Sequence, residues 1–271
     1  MPTPDAAVRA EPDCLSGKVA LVTGGSRGIG RGIAEAFRNA GAQVMIVSRK
    51  ADSLATTAAE LGPQVAWRAT HAGRPDEIAA CVTETLDRLG GLDILVNNAA
   101  TSPHQGPLVE IDLARFDKTM EVNLRGPLVW IQEAWSQYMS RHGGSIINIS
   151  SVGSLRWGGP QGAYSLSKAG LDYLTRHMAV ELAPRVRVNG LSPGIVPTDM
   201  SGTLLDQRVP PLGRVGTTAD IANAAVFLAS DKSAWITGCV VPVDGGAAVY
   251  DFDRGPKTPR PSALAAQPFD V

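Results

Sequence analysis

The chain has 271 residues, 44% of them apolar and 19% charged, with 25 basic side chains against 26 acidic ones and a net charge of −1. The apolar share suits a packed interior and excludes a disordered chain, and the balanced charge offers no basic field to hold a phosphate backbone, so nucleic acid is not an expected partner. Charges or helix breakers cut every apolar stretch well short of the roughly 18 residues a spanning helix needs, so no membrane association is expected.

Residues 1–14 are Pro- and Ala-rich and read as a flexible arm, without the basic start and apolar centre of a secretion signal. The three cysteines, Cys14, Cys81 and Cys239, are scattered and form no CxxC pair. Neither a disulfide framework nor a metal site is indicated, and a cytoplasmic location is the simplest reading. From residue 15 to residue 250, short apolar runs alternate with amphipathic stretches of helical length. Val19–Thr23, Val44–Ser48, Val65–Ala69, Ile94–Asn97, Ile146–Ser150, Val186–Leu191 and Val240–Val243 read as strands. They are rich in Val and Ile and lack strict alternation, as strands buried on both faces do. Ile29–Ala40, Ser53–Leu61, Pro75–Arg88, Arg115–Tyr138, Ala163–Leu182 and Ala219–Leu228 read as helices. Gly41 and Gly62-Pro63 stop the first two, and Thr217-x-x-Asp220 is a capping box for the last. This alternation predicts one α/β domain, a seven-stranded parallel sheet with right-handed crossovers and helices on both faces. The Pro-rich stretch 251–271 reads as a flexible tail or, alternatively, as a strap over a neighbouring subunit or the mouth of the site.

The first predicted strand runs straight into Thr23-Gly24-Gly25-Ser26-Arg27-Gly28-Ile29-Gly30 and then a helix. Backbone amides can approach a pyrophosphate only where no Cβ intervenes, and the helix N-terminus adds partial positive charge. This context makes a dinucleotide the expected ligand. An NAD site usually carries a carboxylate at the end of the second strand for the ribose 2′-hydroxyl. Here Ser48 is followed by Arg49 and Lys50, and Arg27 sits in the glycine loop. Unless Arg49 and Lys50 are merely solvated turn residues, two guanidinium groups and no carboxylate favour NADP(H).

Further along, Tyr164 and Lys168 stand at i and i+4 at the start of a predicted helix, so they share one face. With four tyrosines in the chain, chance gives such a pair in about one sequence in ten of this composition. An ammonium one turn away is expected to lower the phenol's pKa and make Tyr164 a usable proton donor and acceptor. Ser151, at the C-terminal end of the fifth strand, can hydrogen-bond the same substrate oxygen, and strand C-termini are where open α/β sheets hold ligands.

Taken together, Thr23-Gly24-x3-Gly28-x-Gly30, Asn97-Asn98-Ala99-Ala100, Asn123, Ser151, Tyr164-x3-Lys168 and Pro193-Gly194 resemble the short-chain dehydrogenase/reductase (SDR) family, over roughly residues 15–250. The pattern is most similar to bacterial 3-oxoacyl-[acyl-carrier-protein] reductases. The resemblance implies a one-domain Rossmann fold, a homotetramer, and a carbonyl or alcohol as small-molecule substrate. It implies that Ser151 orients the carbonyl, Tyr164 protonates it, Lys168 also binds the nicotinamide ribose, and Asn123 holds a water. Asn98 and Ala99 then wall the adenosine side, and Pro193, Gly194, Ile195 and Thr198 belong to the nicotinamide side. Two positions depart from the family pattern. His71 stands near the usual adenine-binding aspartate, either replacing it or leaving a backbone contact alone, and Ala100 replaces a glycine.

These readings make an NADPH-dependent ketoreductase of 3-oxoacyl thioesters or other medium-sized ketones the expected function. The alternatives are a dehydrogenase of cyclic, sugar or steroid alcohols, and a nucleotide-binding sensor without turnover. Leu155, Trp157, Met200 and Leu204 are candidates for an apolar substrate pocket. Arg141, Arg185 and Arg187 are candidates for docking an acidic carrier protein.

Overall fold

The computed structural model describes residues 13–156, 159–198 and 209–250. Its strands are β1 (Val19–Thr23), β2 (Gln43–Ser48), β3 (Val65–Ala69), β4 (Ile94–Asn97), β5 (Gly144–Ile149), β6 (Val186–Pro193) and β7 (Val240–Val243). The helices are α1 (Gly28–Asn39), α2 (Ala51–Leu61), α3 (Pro75–Leu89), α4 (Leu113–Met120), α5 (Gly126–Ala134), α6 (Ser140–His142), α7 (Gly162–Glu181) and α8 (Thr218–Ala229). Among the described residues the strands form one seven-stranded sheet, ordered β3-β2-β1-β4-β5-β6-β7 and parallel throughout. The direction of winding reverses between β1 and β4, which opens a crevice at their C-terminal ends.

Burial on both faces explains the continuous apolar strands. Ala20, Val22, Val44 and Ile46 pack against Ile33 and Phe37 of α1, Leu54 of α2 and Ile221 of α8. Leu21, Met45 and Val47 point the other way, to Ile78 and Val82 of α3, Trp130 and Ile131 of α5 and Met178 of α7. Each of these large side chains contributes roughly 1.5–3 kcal/mol by leaving water. Local chemistry sets the ends: Pro75 opens α3 and Gly90, left-handed at φ +79°, closes it. The Thr217–Asp220 capping box is present at α8. Leu15 is buried and its amide bonds Ala40 O, so the chain joins the core within residues 13–17. Most of the predicted arm, residues 1–12, and the predicted tail, 251–271, lie outside the described residues.

The predicted helix Arg115–Tyr138 differs from the structure in an instructive way. It starts earlier, at Leu113, because the Asp112 carboxylate accepts from the Arg115 amide at 2.9 Å and caps the N-terminus. It is also not one regular helix. Glu121–Arg125 and Trp135–Met139 are π turns, in each of which one extra residue widens the coil. At the first, Gly126 passes so close to the loop after β3 that a Cβ there would lie 2.3 Å from Ala72 O. Helical periodicity in sequence does not reveal such insertions. No helix among the described residues is long and apolar enough to cross a membrane.

Candidate active site

A cleft of about 780 Å³ lies over the C-terminal ends of the strands. It is framed first by Thr23. The Thr23 hydroxyl donates to Val96 O at 3.2 Å and accepts from the amides of Asn98 at 2.9 Å and Ala99 at 3.0 Å. Asn98 returns the tie, donating from Nδ2 to Thr23 O at 2.8 Å and Gly24 O at 3.3 Å. β1 and β4 are thereby locked together at the turn into α1. Gly24 and Gly28 are left-handed, at φ +69° and +55°, a conformation in which any Cβ is strained. At Gly30 the constraint is steric: a Cβ would sit 2.3 Å from Gly24 O and 2.4 Å from Asn98 Nδ2. The N-cap residue of α1, Arg27, makes no side-chain capping bond. The first amides of the helix therefore keep their capacity for an anion.

Ser26, Arg27, Ile29, Ser48, Arg49 and Lys50 line the same cleft along the glycine turn and the end of β2. Ser48 Oγ is buried there without a hydrogen-bond partner, a polar atom whose cost a ligand would offset. His71 is on this wall too, but its ring is engaged on both sides: Nδ1 accepts from the Gly73 amide at 3.1 Å, and Nε2 lies 2.8 Å from Lys118 Nζ. Its amide donates to Glu77 Oε2 at 2.7 Å. Burial first, and the Lys118 ammonium second, hold the imidazole below its ordinary pKa, so the ring is neutral at pH 7. His71 thus does not mimic a free carboxylate. Lys118, which sequence reasoning passed over, shares this wall, and nothing in the sequence marks it.

Tyr164 and Lys168 stand on the first turns of α7, facing Ser151 at the end of β5. Ser151 Oγ accepts from the Gly153 amide at 3.1 Å, and its hydroxyl meets the Tyr164 phenol. Lys168 is 2% exposed, with Nζ 2.7 Å from Ile149 O and 5.6 Å from the centre of the Tyr164 ring. The expectation that the lysine lowers the phenol's pKa is corrected here. Burial raises the Tyr164 pKa, and the opposing influence is the Ser151 hydrogen bond. Burial also lowers Lys168 to about 8, so the ammonium loses its proton before the phenol ionises. At neutral pH the site therefore holds a protonated phenol and a charged lysine.

Every residue predicted for catalysis or cofactor binding lines the cleft except Asn123. Asn123 is fully buried within the first π turn, behind the wall. Its Oδ1 accepts from the Thr101 amide at 2.8 Å, while Nδ2 donates to Thr101 O at 2.9 Å and Ser167 Oγ at 3.0 Å. The side chain is committed to clamping the loop after β4. At and beyond the end of β6, Pro193, Gly194, Ile195 and Thr198 line the cleft. A Cβ at Gly194 would meet Asp244 Cα at 2.8 Å.

Of the four candidates for an apolar substrate pocket, only Leu155 is among the described residues. Leu155 is 44% exposed and does not line the cleft, and Trp157, Met200 and Leu204 lie outside the described residues. Thr101, Ser102, Val152, Arg156 and Gln161 line it instead. Nor do the three candidate docking arginines surround the mouth. Arg187 donates to Leu228 O, Ala229 O and Ser230 O, capping the C-terminus of α8. Arg141 and Arg185 precede β5 and β6, so they stand at the N-terminal ends of the strands, opposite the cleft.

Comparison with known proteins gives a consistent picture. A family model described as enoyl-(acyl carrier protein) reductase matches residues 24–248. The chain is 35% identical over 243 residues to the 3-oxoacyl-[acyl-carrier-protein] reductase FabG of Aquifex aeolicus (strain VF5), covering 86% of this chain and 98% of that one. It is 35% identical over 246 residues to dehydrogenase/reductase SDR family member 4 of Sus scrofa, covering 86% and 88%. Among solved structures it resembles the 3-ketoacyl-(acyl-carrier-protein) reductase of Brucella melitensis complexed with NADH. The TM-score is 0.83 at 31% identity, over 86% of this chain and 99% of that one.

Proposed function

The chain belongs to the short-chain dehydrogenase/reductase family, oxidoreductases that act on CH–OH and C=O groups with a nicotinamide cofactor, and from that premise we propose that it is an NADPH-dependent ketoreductase. The observation that carries this reading is the meeting of Ser151, Tyr164 and Lys168 in the cleft that the glycine turn walls. The cleft fits the cofactor: the absence of Cβ atoms at Gly24, Gly28 and Gly30 lets the turn close against Asn98, Ala99 and Thr198 and present the first amides of α1, and Ser48, which lines the cleft, has a buried Oγ without a hydrogen-bond partner. When bound, the cofactor supplies the hydride for the carbonyl carbon.

The chain's own residues do the rest. Tyr164, kept protonated by burial, gives its proton to the carbonyl oxygen, and Ser151 donates a hydrogen bond to the same oxygen as charge develops on it. Lys168, charged below about pH 8, stabilises the phenolate left behind. Asn123 fixes the Thr101 loop that borders the substrate. We assign this work to one catalytic unit spanning residues 15–250. The assembly follows as a homotetramer in the cytoplasm. Exposed Tyr173 and Val180 on α7 and fully exposed Trp235 support burial in an assembly.

The preference for NADP(H) rests on Arg27, Arg49 and Lys50 beside Ser48, where a carboxylate would repel a 2′-phosphate. The Brucella relative's complex with NADH means that family membership alone does not decide the nucleotide. Titration of both nucleotides is expected to give the tighter Kd for NADPH. Arg49→Glu should weaken NADPH about tenfold or more while sparing NADH, since it replaces a charge-assisted contact with repulsion. Equal Kd values in the unaltered protein would remove the preference.

For the substrate, initial rates with an acetoacetyl thioester beside small and cyclic ketones test the reading, and thioester turnover with NADPH is the expected result. The polar lining by Thr101, Ser102, Arg156 and Gln161 favours a second reading. In it a cyclic, sugar or steroid alcohol would give its hydride to the oxidised nucleotide and its hydroxyl proton to Tyr164, and turnover confined to those compounds would select it.

A further inference from the structure

Lys168 is the deepest charge in the site, and its counter-charge is not in the cleft. The phenol of Tyr164 is neutral at working pH, and the atom that Nζ touches, Ile149 O, is an uncharged carbonyl. Asp172 lies one helical turn further along α7, 4% exposed, with Oδ1 buried and lacking a hydrogen-bond partner. Tyr164, Lys168 and Asp172 follow one another at i, i+4 and i+8, so phenol, ammonium and carboxylate form one stripe on the inward side of the helix. A carboxylate is not retained in such a place for packing, because an unpaired buried charge costs several kcal/mol.

We propose that Asp172 is a positioning residue for the reaction: its buried carboxylate keeps Lys168 charged and so keeps the Tyr164 proton relay working up to mildly alkaline pH. The inference rests on the ketoreductase reading of this site and adds to it the residue that sustains the lysine. Burial and Asp172 are the two influences on the Lys168 proton, and they oppose one another, with burial the larger. Other groups packed around Nζ are the Tyr164 phenol on α7 and the β5 end, Ile149 O through Ser151, none of which carries charge at pH 7. Further buried polar groups of the sheet and of α7 are Asn97, Asn148 and Thr175. These bond one another, Asn97 Nδ2 to Asn148 Oδ1 and Asn148 Nδ2 to Thr175 Oγ1, each at 2.9 Å. They are polar and uncharged.

The sign of the effect follows. A lysine loses its charge as pH rises through its pKa, and removing a nearby carboxylate moves that pKa down. In Asp172→Asn the alkaline limb of kcat should shift to lower pH, with about a tenfold loss at pH 8 and a much smaller loss at pH 6. Asp172→Glu should restore most of the alkaline activity. Thermal melts and NADPH titration of both variants, run beside the profiles, identify any failure to fold. A uniform loss across pH, or no shift in a folded Asp172→Asn protein, would overturn the proposal. If Tyr164→Phe is also fully active, the ketoreductase reading has failed; if Tyr164→Phe is inactive and the Asp172→Asn profile is unmoved, only the role of Asp172 has failed.

Discussion

Tyr164→Phe is expected to lower kcat by about a thousandfold, within the range that removal of a positioned acid gives, while leaving the NADPH Kd nearly unchanged. The substitution deletes one oxygen and keeps the ring, so the packing against Lys168 Nζ, 5.6 Å from the ring centre, survives. What disappears is the proton that burial holds on the phenol and the partner of the Ser151 hydroxyl. The two observables separate the roles: nucleotide titration reads the cleft, and steady-state turnover reads the chemistry. Turnover equal to the unaltered protein would move the acid elsewhere and dissolve the assignment of Ser151 and Lys168 with it. A parallel loss of kcat and of NADPH binding would instead indicate that the phenol shapes the cleft.

Gly30→Ala should have the second large effect, on binding. Gly30 is not among the glycines with left-handed φ, so alanine meets no conformational penalty there. The obstacle is steric: the methyl would lie 2.3 Å from the carbonyl oxygen of Gly24 and 2.4 Å from Asn98 Nδ2. The first of these is backbone and the second is anchored to Thr23 O and Gly24 O, so relief requires the turn itself to shift. Overpacking of this kind costs about 1–3 kcal/mol or more, read as a lower Tm. Because the same turn presents the first amides of α1, NADPH binding should weaken by about a hundredfold, equivalent to roughly 2.7 kcal/mol. A Kd within a few-fold of the unaltered value would show that the pyrophosphate rests elsewhere.

How far the sequence alone reaches can be judged from particular residues. The strand positions were legible because strands buried on both faces are written as uninterrupted Val and Ile, and the glycine turn because steric demand leaves no other residue. Ser151, Tyr164 and Lys168 were legible because their spacing is itself a geometry. The pKa of Tyr164 was not: the sequence gives the distance to Lys168 along the helix but not the burial that outweighs it. His71 likewise shows its residue type, whereas the engagement of both its ring nitrogens depends on Lys118, 47 positions away. Asn123 is recognisable as a site residue, yet the clamp it makes on Thr101 depends on a π turn that periodicity hides. Asp172 carried no signal as a sequence position, because a polar residue in an amphipathic helix normally faces water.

The widened turn at Glu121–Arg125 also limits how this protein can change. An α-helix advances about 100° per residue, so the one additional residue resets the angular phase between the stretch that carries Asn123 and the stretch that carries Trp130 and Ile131. Asn123 is thereby directed to the loop at Thr101 while Trp130 and Ile131 remain sealed under the sheet. Deleting a single residue anywhere between these two anchors would force one of them to swing out of place, whatever residue was lost. Gly126 apart, substitution is open to this segment and a change of length is not, so here the chain is constrained by arithmetic as well as by chemistry.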